Sequence, residues 1–347
     1  MRRLPRLGLM TLTASGKPRA RRRSVFALAL LAALPVAVLS LFRALPVEWP
    51  APVVQLLAFT PWVVLPAALA AGLALFSRRR WLAVVTALLL LIQLFWLFPL
   101  DFGRSLPRAA DEVELPVMSV NSEYGQADAA EVVRLVRENG VKLLAVQEHS
   151  ASLEAALERA GLEGLLPHRI SSPTDDAAGS AVYSAYALEA VGLLPDTPFQ
   201  MPTIRVAAKA GGLSATFDLT NVHTLPPVDS RIAQWRHDLG AVGRVGSRAG
   251  HRVMMGDFNA GYDHLEFRQL LDRPLAGGTD GRKLVDAGIA NNSRLIPTWP
   301  MEGMTLPGVT LDHIVTTPEI SATGYSVHRI SGSDHAAVIA TLAVPGS

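Results

Sequence analysis

Arg252-Val253-Met254-Met255-Gly256-Asp257-Phe258-Asn259 decides how the second half of this 347-residue chain is read. Val253 to Met255 form an apolar run of strand length, and the run ends on Gly256, Asp257, Phe258 and Asn259. A carboxylate and an amide are thereby delivered to the C-terminal end of a strand, where residues on a β-scaffold converge into a site. Alone, the signal is weak, because a Gly-Asp pair usually marks a turn.

The same pattern recurs on either side of it. Val117 to Val120 ends at Asn121, Leu143 to Gln147 at Glu148, and Leu219 to Val222 at His223, while Ser331 to Ser333 leads into Asp334 and His335. Between the first two runs, Val132, Val133, Leu135 and Val136 give a helical stripe over Ala127 to Asn139, closed by Gly140. Further strands are expected at Ala181 to Tyr183, Thr216 to Val222, Leu311 to Val315 and Ala337 to Leu342. Ser230 reads as the cap of a helix reaching about Val245, and Asp263 with Glu266 as a capping box before Phe267. Strands alternating with helices over the segment from Leu115 onward indicate an α/β domain with a sizeable buried sheet.

Taken in order, Asn121, Val-Gln-Glu148, Asn-Val-His223, Gly-Asp257-Phe-Asn259, Leu-Asp312-His and Ser-Asp334-His335 resemble the endonuclease/exonuclease/phosphatase superfamily. Gly179-Ser-Ala-Val-Tyr-Ser184 is similar to that family's Gly-x-Ala-x-x-Ser strand, and the resemblance runs from about Val117 to Leu342. It implies a four-layer α/β sandwich, two packed β-sheets flanked by helices, with the site at one edge. It also implies hydrolysis of phosphate esters assisted by Mg2+ or Mn2+, hard cations that suit carboxylate and amide oxygens.

Carried over residue by residue, the resemblance makes Glu148 the leading metal ligand, with Asn121 beside it and Asp334 completing the site. Asp257 would orient and deprotonate water, and Asn259 would hold a non-bridging oxygen. His223 and His335 would donate to the phosphoryl group, Asp334 would fix the tautomer of His335, and Asp312 would orient His223 or the nucleophile. Two departures stand out. Ser184-Ala185-Tyr186-Ala187 replaces the Ser-Arg-Tyr-Pro of many relatives, removing a cation, and Glu123 stands where some relatives carry a metal-binding Asp. His149, His168, His251 and His264 read as surface or loop residues.

The N-terminal part is of a different kind. Ser24 to Phe42, Ala51 to Phe76 and Trp81 to Leu100 are almost wholly apolar and near the length that crosses a hydrocarbon core, so three transmembrane helices are expected. The first could also be read as a signal peptide, but no small-x-small cleavage site follows it directly. No charged residue sits at mid-depth in these runs, which favours an anchor over a transport path. Residues 1–23 then form a basic cytoplasmic N-terminus, 24–100 the membrane anchor, 101–114 a linker and 115–347 the catalytic domain. Arg78, Arg79 and Arg80 lie between the second and third runs, and positive charge stays cytoplasmic. With three spans, the domain falls on the extracytoplasmic side.

Before Asp101 there are eleven arginines and one lysine against Glu48, a net charge of +11, whereas the rest carries 20 bases against 29 acids, a net charge of −9. An acidic domain disfavours tight non-specific binding to duplex DNA, whose affinity comes mainly from displaced counterions. There are no cysteines, which excludes disulfides, thiolate metal sites and a cysteine nucleophile. The reading is therefore a membrane-anchored phosphoesterase, acting on a lipid head group or a nucleic acid, with the bilayer as neighbour and no obligate protein partner. An extracellular DNA nuclease and an inactive binding ectodomain are the competing readings.

Overall fold

Successive side chains of a strand point to opposite faces, and along Glu112–Asn121 (β1) both faces are buried. Val113, Leu115 and Val117 enter one apolar core while Met118 and Val120 enter another, and Leu143–Gln147 (β2) divides in the same way, Leu143 and Ala145 to one side and Leu144 and Val146 to the other. A sheet buried on both faces needs a layer on each side. The computed structural model, which describes residues 17–98, 111–276 and 281–346, supplies them.

The remaining strands are His168–Ser172 (β3), Ser180–Ser184 (β4), Leu188–Leu193 (β5), Pro202–Ala210 (β6), Leu213–His223 (β7), Arg252–Asp257 (β8), Val285–Asp286 (β9), Asp312–Thr316 (β10), Ser321–His328 (β11) and Ala337–Pro345 (β12). They form two six-stranded sheets, ordered β11-β12-β1-β2-β4-β3 and β5-β6-β7-β8-β10-β9. Between the sheets lies the first core, where Leu115, Val117 and Leu143 meet Phe217, Leu219, Val253, Met255 and Ile314.

In chain order the helices are Lys17–Ala44 (α1), Ala51–Leu57 (α2), Val64–Ser77 (α3), Arg80–Leu97 (α4), Ala129–Glu138 (α5), Ala151–Arg159 (α6), Ile232–Gly246 (α7), Leu265–Leu271 (α8) and Ala287–Ala290 (α9). α5 and α6 cover the outer face of the first sheet, through Val132, Val136, Leu153 and Leu157. α7 and α8 cover the second, through Trp235, Leu239, Val242 and Phe267. The layers thus run helix, sheet, sheet, helix, the sandwich expected from the sequence.

The chain divides into two units. One holds the residues up to Leu41 with Trp62–Leu97, and the other holds Phe42–Pro61 with the segment from Phe98 onward. In the first, small residues let the helices approach: Ala29 packs with Ala74 and Leu82, and Val36 with Val63 and Ala67. Gln93 Nε2 donates to Ser40 Oγ at 2.8 Å, so these buried polar groups satisfy each other. Arg21–Ala44, Thr60–Ser77 and Arg80–Leu97 are long and apolar enough to cross a membrane.

Several expectations need correction. The second span was expected from Ala51, but α2 ends at Leu57 and the membrane-length helix begins at Thr60, after which Pro61 stands in a 3-10 turn. Val54 of α2 joins the buried core of the second sheet instead, so apolar character there reflects docking rather than lipid. Ser230 does not cap α7; a 3-10 turn at Asp229–Arg231 leads in, and the cap position, Arg231, makes no side-chain bond. Asp263 builds no capping box either, because its carboxylate is taken by Arg43 at 2.7 Å and Arg294 at 3.2 Å. The expected linker 101–114, the first sixteen residues and the last two residues of the third apolar run lie wholly or largely outside the described residues, and β1 begins already at Glu112.

Candidate active site

Register aligns the chemistry. β7 pairs in parallel with β8 so that His223 stands beside Asp257, and β10 pairs antiparallel on the other flank of β8 so that Asp312 stands opposite Asp257. In the first sheet, Asn121 pairs with Gln147, and Glu148 follows. A bridge between sheets lies among these ends: Gln147 Nε2 donates to Asn221 Oδ1 at 2.5 Å, and Asn221 Nδ2 to Val146 O at 2.9 Å and Ser180 Oγ at 2.8 Å. Such a bridge satisfies polar groups that burial would otherwise penalise, and it ties the two halves of the site together.

Asp257 is 1 % exposed and receives three donors. The Asn259 backbone N–H reaches Oδ1 at 2.8 Å, and the amides of Asn259 and Asn121 reach Oδ2 at 3.1 and 3.2 Å. Asn121 also donates to Glu148 Oε1 at 3.1 Å, while its own oxygen accepts the Glu123 N–H at 3.0 Å. Asn121 is therefore a bridging donor between two carboxylates, not an oxygen presented to a cation. Glu148 Oε2 accepts the Tyr124 N–H at 2.8 Å. Glu148 and Asn259 both adopt left-handed backbone, at φ 54° and 45°, which is costly for residues with side chains and concentrates at functional sites.

The two histidines flank this carboxylate. His223 Nε2 lies 3.6 Å from Glu148 Oε1 and 3.8 Å from Asp257 Oδ2, and the ring stacks on Phe199 with centroids 4.3 Å apart. His335 Nδ1 is 2.9 Å from Asp312 Oδ2, and Nε2 is 3.7 Å from Asp257 and 3.9 Å from Asp334. Asp312, not Asp334, orients His335, and Asp312 makes no bond to His223. Asp334 instead accepts the Trp299 indole N–H at 2.8 Å and offers its own backbone N–H to Glu123 at 2.6 Å. Ser333 pins this loop to β1 by donating to Asn121 O at 2.7 Å.

Electrostatics separates the roles. Burial opposes charge on His335, but Asp312 and Asp257 outweigh it and hold the imidazolium to about pH 10. Burial, reinforced by the charge on His335, keeps His223 neutral, with its pKa driven down to about 3. Burial also raises Asp257 to about 7, against the charge of His335 and with that of Asp312. Glu148 is raised by burial as well.

Four carboxylates, those of Glu148, Asp257, Asp312 and Asp334, share this space with one imidazolium, a donor set of hard oxygens that fits a divalent cation. One ligand atom each from Asp257, Asp312 and His335 falls within 4.8 Å, a spacing that would also suit a metal ion. His335, however, carries protons on both nitrogens when charged and has no lone pair to offer. Glu148, Asp334 and Glu123 offer further carboxylates beside this cluster.

All the chemistry-bearing residues expected from the sequence are brought together here, apart from the partner exchange between Asp312 and Asp334. Phe199 and Trp299 have no counterpart in the sequence reading, which includes Gln147 and Asn221 as motif positions but gives them no role. His149 and His264, expected as surface or loop residues, do lie in irregular segments but are buried. His149 lies against Glu154 at 3.2 Å and Tyr183 at 3.3 Å, and His264 accepts the Gly261 N–H at Nδ1 and donates from Nε2 to Val54 O at 3.0 Å. A groove of about 490 Å³ opens over the cluster.

Residues 118–335 match the model of the Endonuclease/Exonuclease/phosphatase family. None of the curated proteins matches the chain. Among solved structures it is similar to a humanized D. rerio TDP2, at 14 % identity and a TM-score of 0.50, covering 66 % of this chain and 98 % of that one. It is also similar to the 3′ phosphatase NExo from Neisseria, at 19 % identity and a TM-score of 0.47, covering 65 % of this chain and 98 % of that one. At 14 % identity the likeness to the first of these speaks to the fold alone.

Proposed function

Since the chain belongs to the endonuclease/exonuclease/phosphatase family, we propose that it is a membrane-anchored, divalent-metal-dependent hydrolase of phosphate esters that acts by in-line attack of water on phosphorus. The observation that carries this reading is the convergence of His223 on Glu148 and Asp257, and of His335 on Asp257, all within 3.6 to 3.8 Å in one groove.

Asp257, held by three donors and with its pKa raised toward 7, accepts the proton of the attacking water. A base poised near the working pH combines the right ionisation with the greatest driving force. His335, cationic and fixed by Asp312, faces a phosphoryl oxygen, and neutral His223 donates from the opposite flank. Asn259 steadies Asp257, spending one amide hydrogen on its Oδ2 and the other on Thr224 O at 2.9 Å. Glu148, with Asp334 and in the neighbourhood of Asn121, would hold Mg2+ or Mn2+. When bound, the cation neutralises phosphate oxygens and stabilises the charge that develops on the leaving oxygen. Direct displacement needs no serine or cysteine nucleophile.

The anchor comprises the spans of residues 21–44, 60–77 and 80–97, and the domain lies on the extracytoplasmic side. Two features support that sidedness. Arg78, Arg79 and Arg80 mark the turn between the second and third spans as cytoplasmic. The segment between the first and second spans, on the opposite side from that turn, packs within the same unit as the domain.

The test is release of nitrophenol from bis(p-nitrophenyl) phosphate by the full chain in detergent. Activity is expected with Mg2+ or Mn2+, to vanish with chelator, to return on adding metal, and to be lost in Asp257→Ala and His335→Ala. Hydrolysis that persists through chelation or through both substitutions refutes the mechanism, and absence of hydrolysis from this and a wider panel of phosphate esters would favour an inactive binding domain.

A further inference from the structure

We propose that the segment Gln55–Phe59, the last part of the connection between the first two apolar spans, is a specificity-determining wall of the catalytic groove and receives the apolar part of a membrane-borne phosphate ester. The inference rests on the hydrolase reading above and names its substrate class.

The segment is built into the domain. Gln55 Nε2 donates to Pro227 O at 3.0 Å, His264 Nε2 donates to Val54 O at 3.0 Å, and Arg236 bonds to Trp49 O. Arg43, at the end of α1, pairs with Asp263 at 2.7 Å with both side chains about 7 % exposed or less. Breaking such a buried pair leaves an uncompensated charge, so this tether is fixed in place. Val54 completes the grip by joining the core with Val222 and Trp235.

So held, Gln55, Ala58 and Phe59 line the same groove as Glu148, Asp257 and His335. Phe59 immediately precedes Thr60, the first residue of a membrane-length apolar helix. Gln55–Phe59 therefore leads directly into that helix. A water-soluble substrate would gain nothing from such a wall, whereas an ester whose phosphate is attached to acyl chains would lay its apolar portion against it.

The rest of the groove agrees. Beside the carboxylates and imidazoles it presents Phe199, Pro226, Trp299 and Leu311, and among the described lining residues Arg231 is the only lysine or arginine. Tracking a nucleic-acid strand calls for a cationic groove. An isolated phosphate bound to an apolar body does not.

The experiment uses the full chain reconstituted in phosphatidylcholine and phosphatidylglycerol vesicles, assayed with Mg2+ on those lipids, on bis(p-nitrophenyl) phosphate and on a single-stranded oligonucleotide. The wild type is expected to hydrolyse at least one of the lipids. Phe59→Asp and, as a milder variant if that one misfolds, Phe59→Ala and Gln55→Ala should lower kcat/KM for the lipid relative to the soluble diester by roughly tenfold or more. Parallel losses on both substrates would overturn the proposal. So would hydrolysis of the soluble diester or the oligonucleotide with none of either lipid. If no phosphate ester is hydrolysed at all, the hydrolase reading fails first and this inference falls with it.

Discussion

His335 Nδ1 stands 2.9 Å from Asp312 Oδ2, while its Nε2 faces Asp257 at 3.7 Å, so one imidazole links two carboxylates that the antiparallel register of β8 and β10 sets directly opposite each other. Like charges opposed across two strands are unfavourable, and the imidazolium between them offsets that cost.

Asp312→Asn keeps the shape but removes the charge that fixes the His335 proton and orientation. The expected result is a fall in kcat on bis(p-nitrophenyl) phosphate of roughly 10²–10⁴-fold with little change in KM. A loss below about threefold would show that Asp312 does not act through His335. Asp334→Asn should leave the orientation of His335 intact, because its nearest side-chain partner is Trp299.

Stability should carry the signature of the same imidazolium. The folded pKa of about 10 lies above the ordinary 6.5 of an unfolded histidine, and the stabilising contribution is therefore complete below about pH 6.5 and lost as pH rises through 10. In metal-free buffer, the melting temperature of His335→Gln should fall furthest below wild type near pH 6, with the gap closing toward pH 10. A gap that is constant or widens over this range contradicts the charge assigned to His335.

Gly256 adopts φ 146° beside Val222, and a Cβ there would come within 2.0 Å of Val222 O. Gly256→Ala must push β8 away from β7, where His223 and Asp257 are aligned. A loss of more than about 3 kcal/mol in unfolding free energy is expected, read by denaturant titration of the full chain in detergent. Near-wild-type stability would mean that the close parallel pairing is not needed.

Glu148→Gln can retain the hydrogen bond from Asn121 but gives up the one from the Tyr124 N–H and removes the negative charge of one of the cation's chief donors. Calorimetric titration should show Mg2+ binding weakened by roughly 10–100-fold or more, with thermal stability in chelator close to wild type. Unchanged affinity would take Glu148 out of the metal site.

Much of this arrangement was legible in the sequence because the central strands are apolar and end on chemistry. β1, β2, β7, β8, β10 and β12 were each found from such runs, and their termini delivered Asn121, Glu148, His223, Asp257, Asp312 and the Ser-Asp-His loop. The edge strands were not found. β5 is largely exposed and β9 is two residues long, so neither leaves a hydrophobic alternation, and in β6 the alternation of Ile204, Val206 and Ala208 with Arg205, Ala207 and Lys209 is weakened by the adjacent alanines Ala207 and Ala208. Composition could not separate α2 from the following span, since both are apolar and only contact with Val222 and Trp235, far along the chain, distinguishes them. Histidine burial is equally non-local: His264 is inside because its partners are Gly261 and Val54. Phe199 and Trp299 sit in irregular loops, where no periodicity marks a residue that stacks on His223 or anchors Asp334.

The central claim is a division of labour: Glu148 and its neighbours hold the cation, while Asp257, Asp312 and His335 keep and move protons. Anomalous difference density from crystals of the full chain soaked in Mn2+ tests it most directly. The expected result is a peak in contact with the Glu148 carboxylate and clear of His335. A peak bridged by Asp257, Asp312 and His335, or none in the groove at saturating Mn2+, would contradict it.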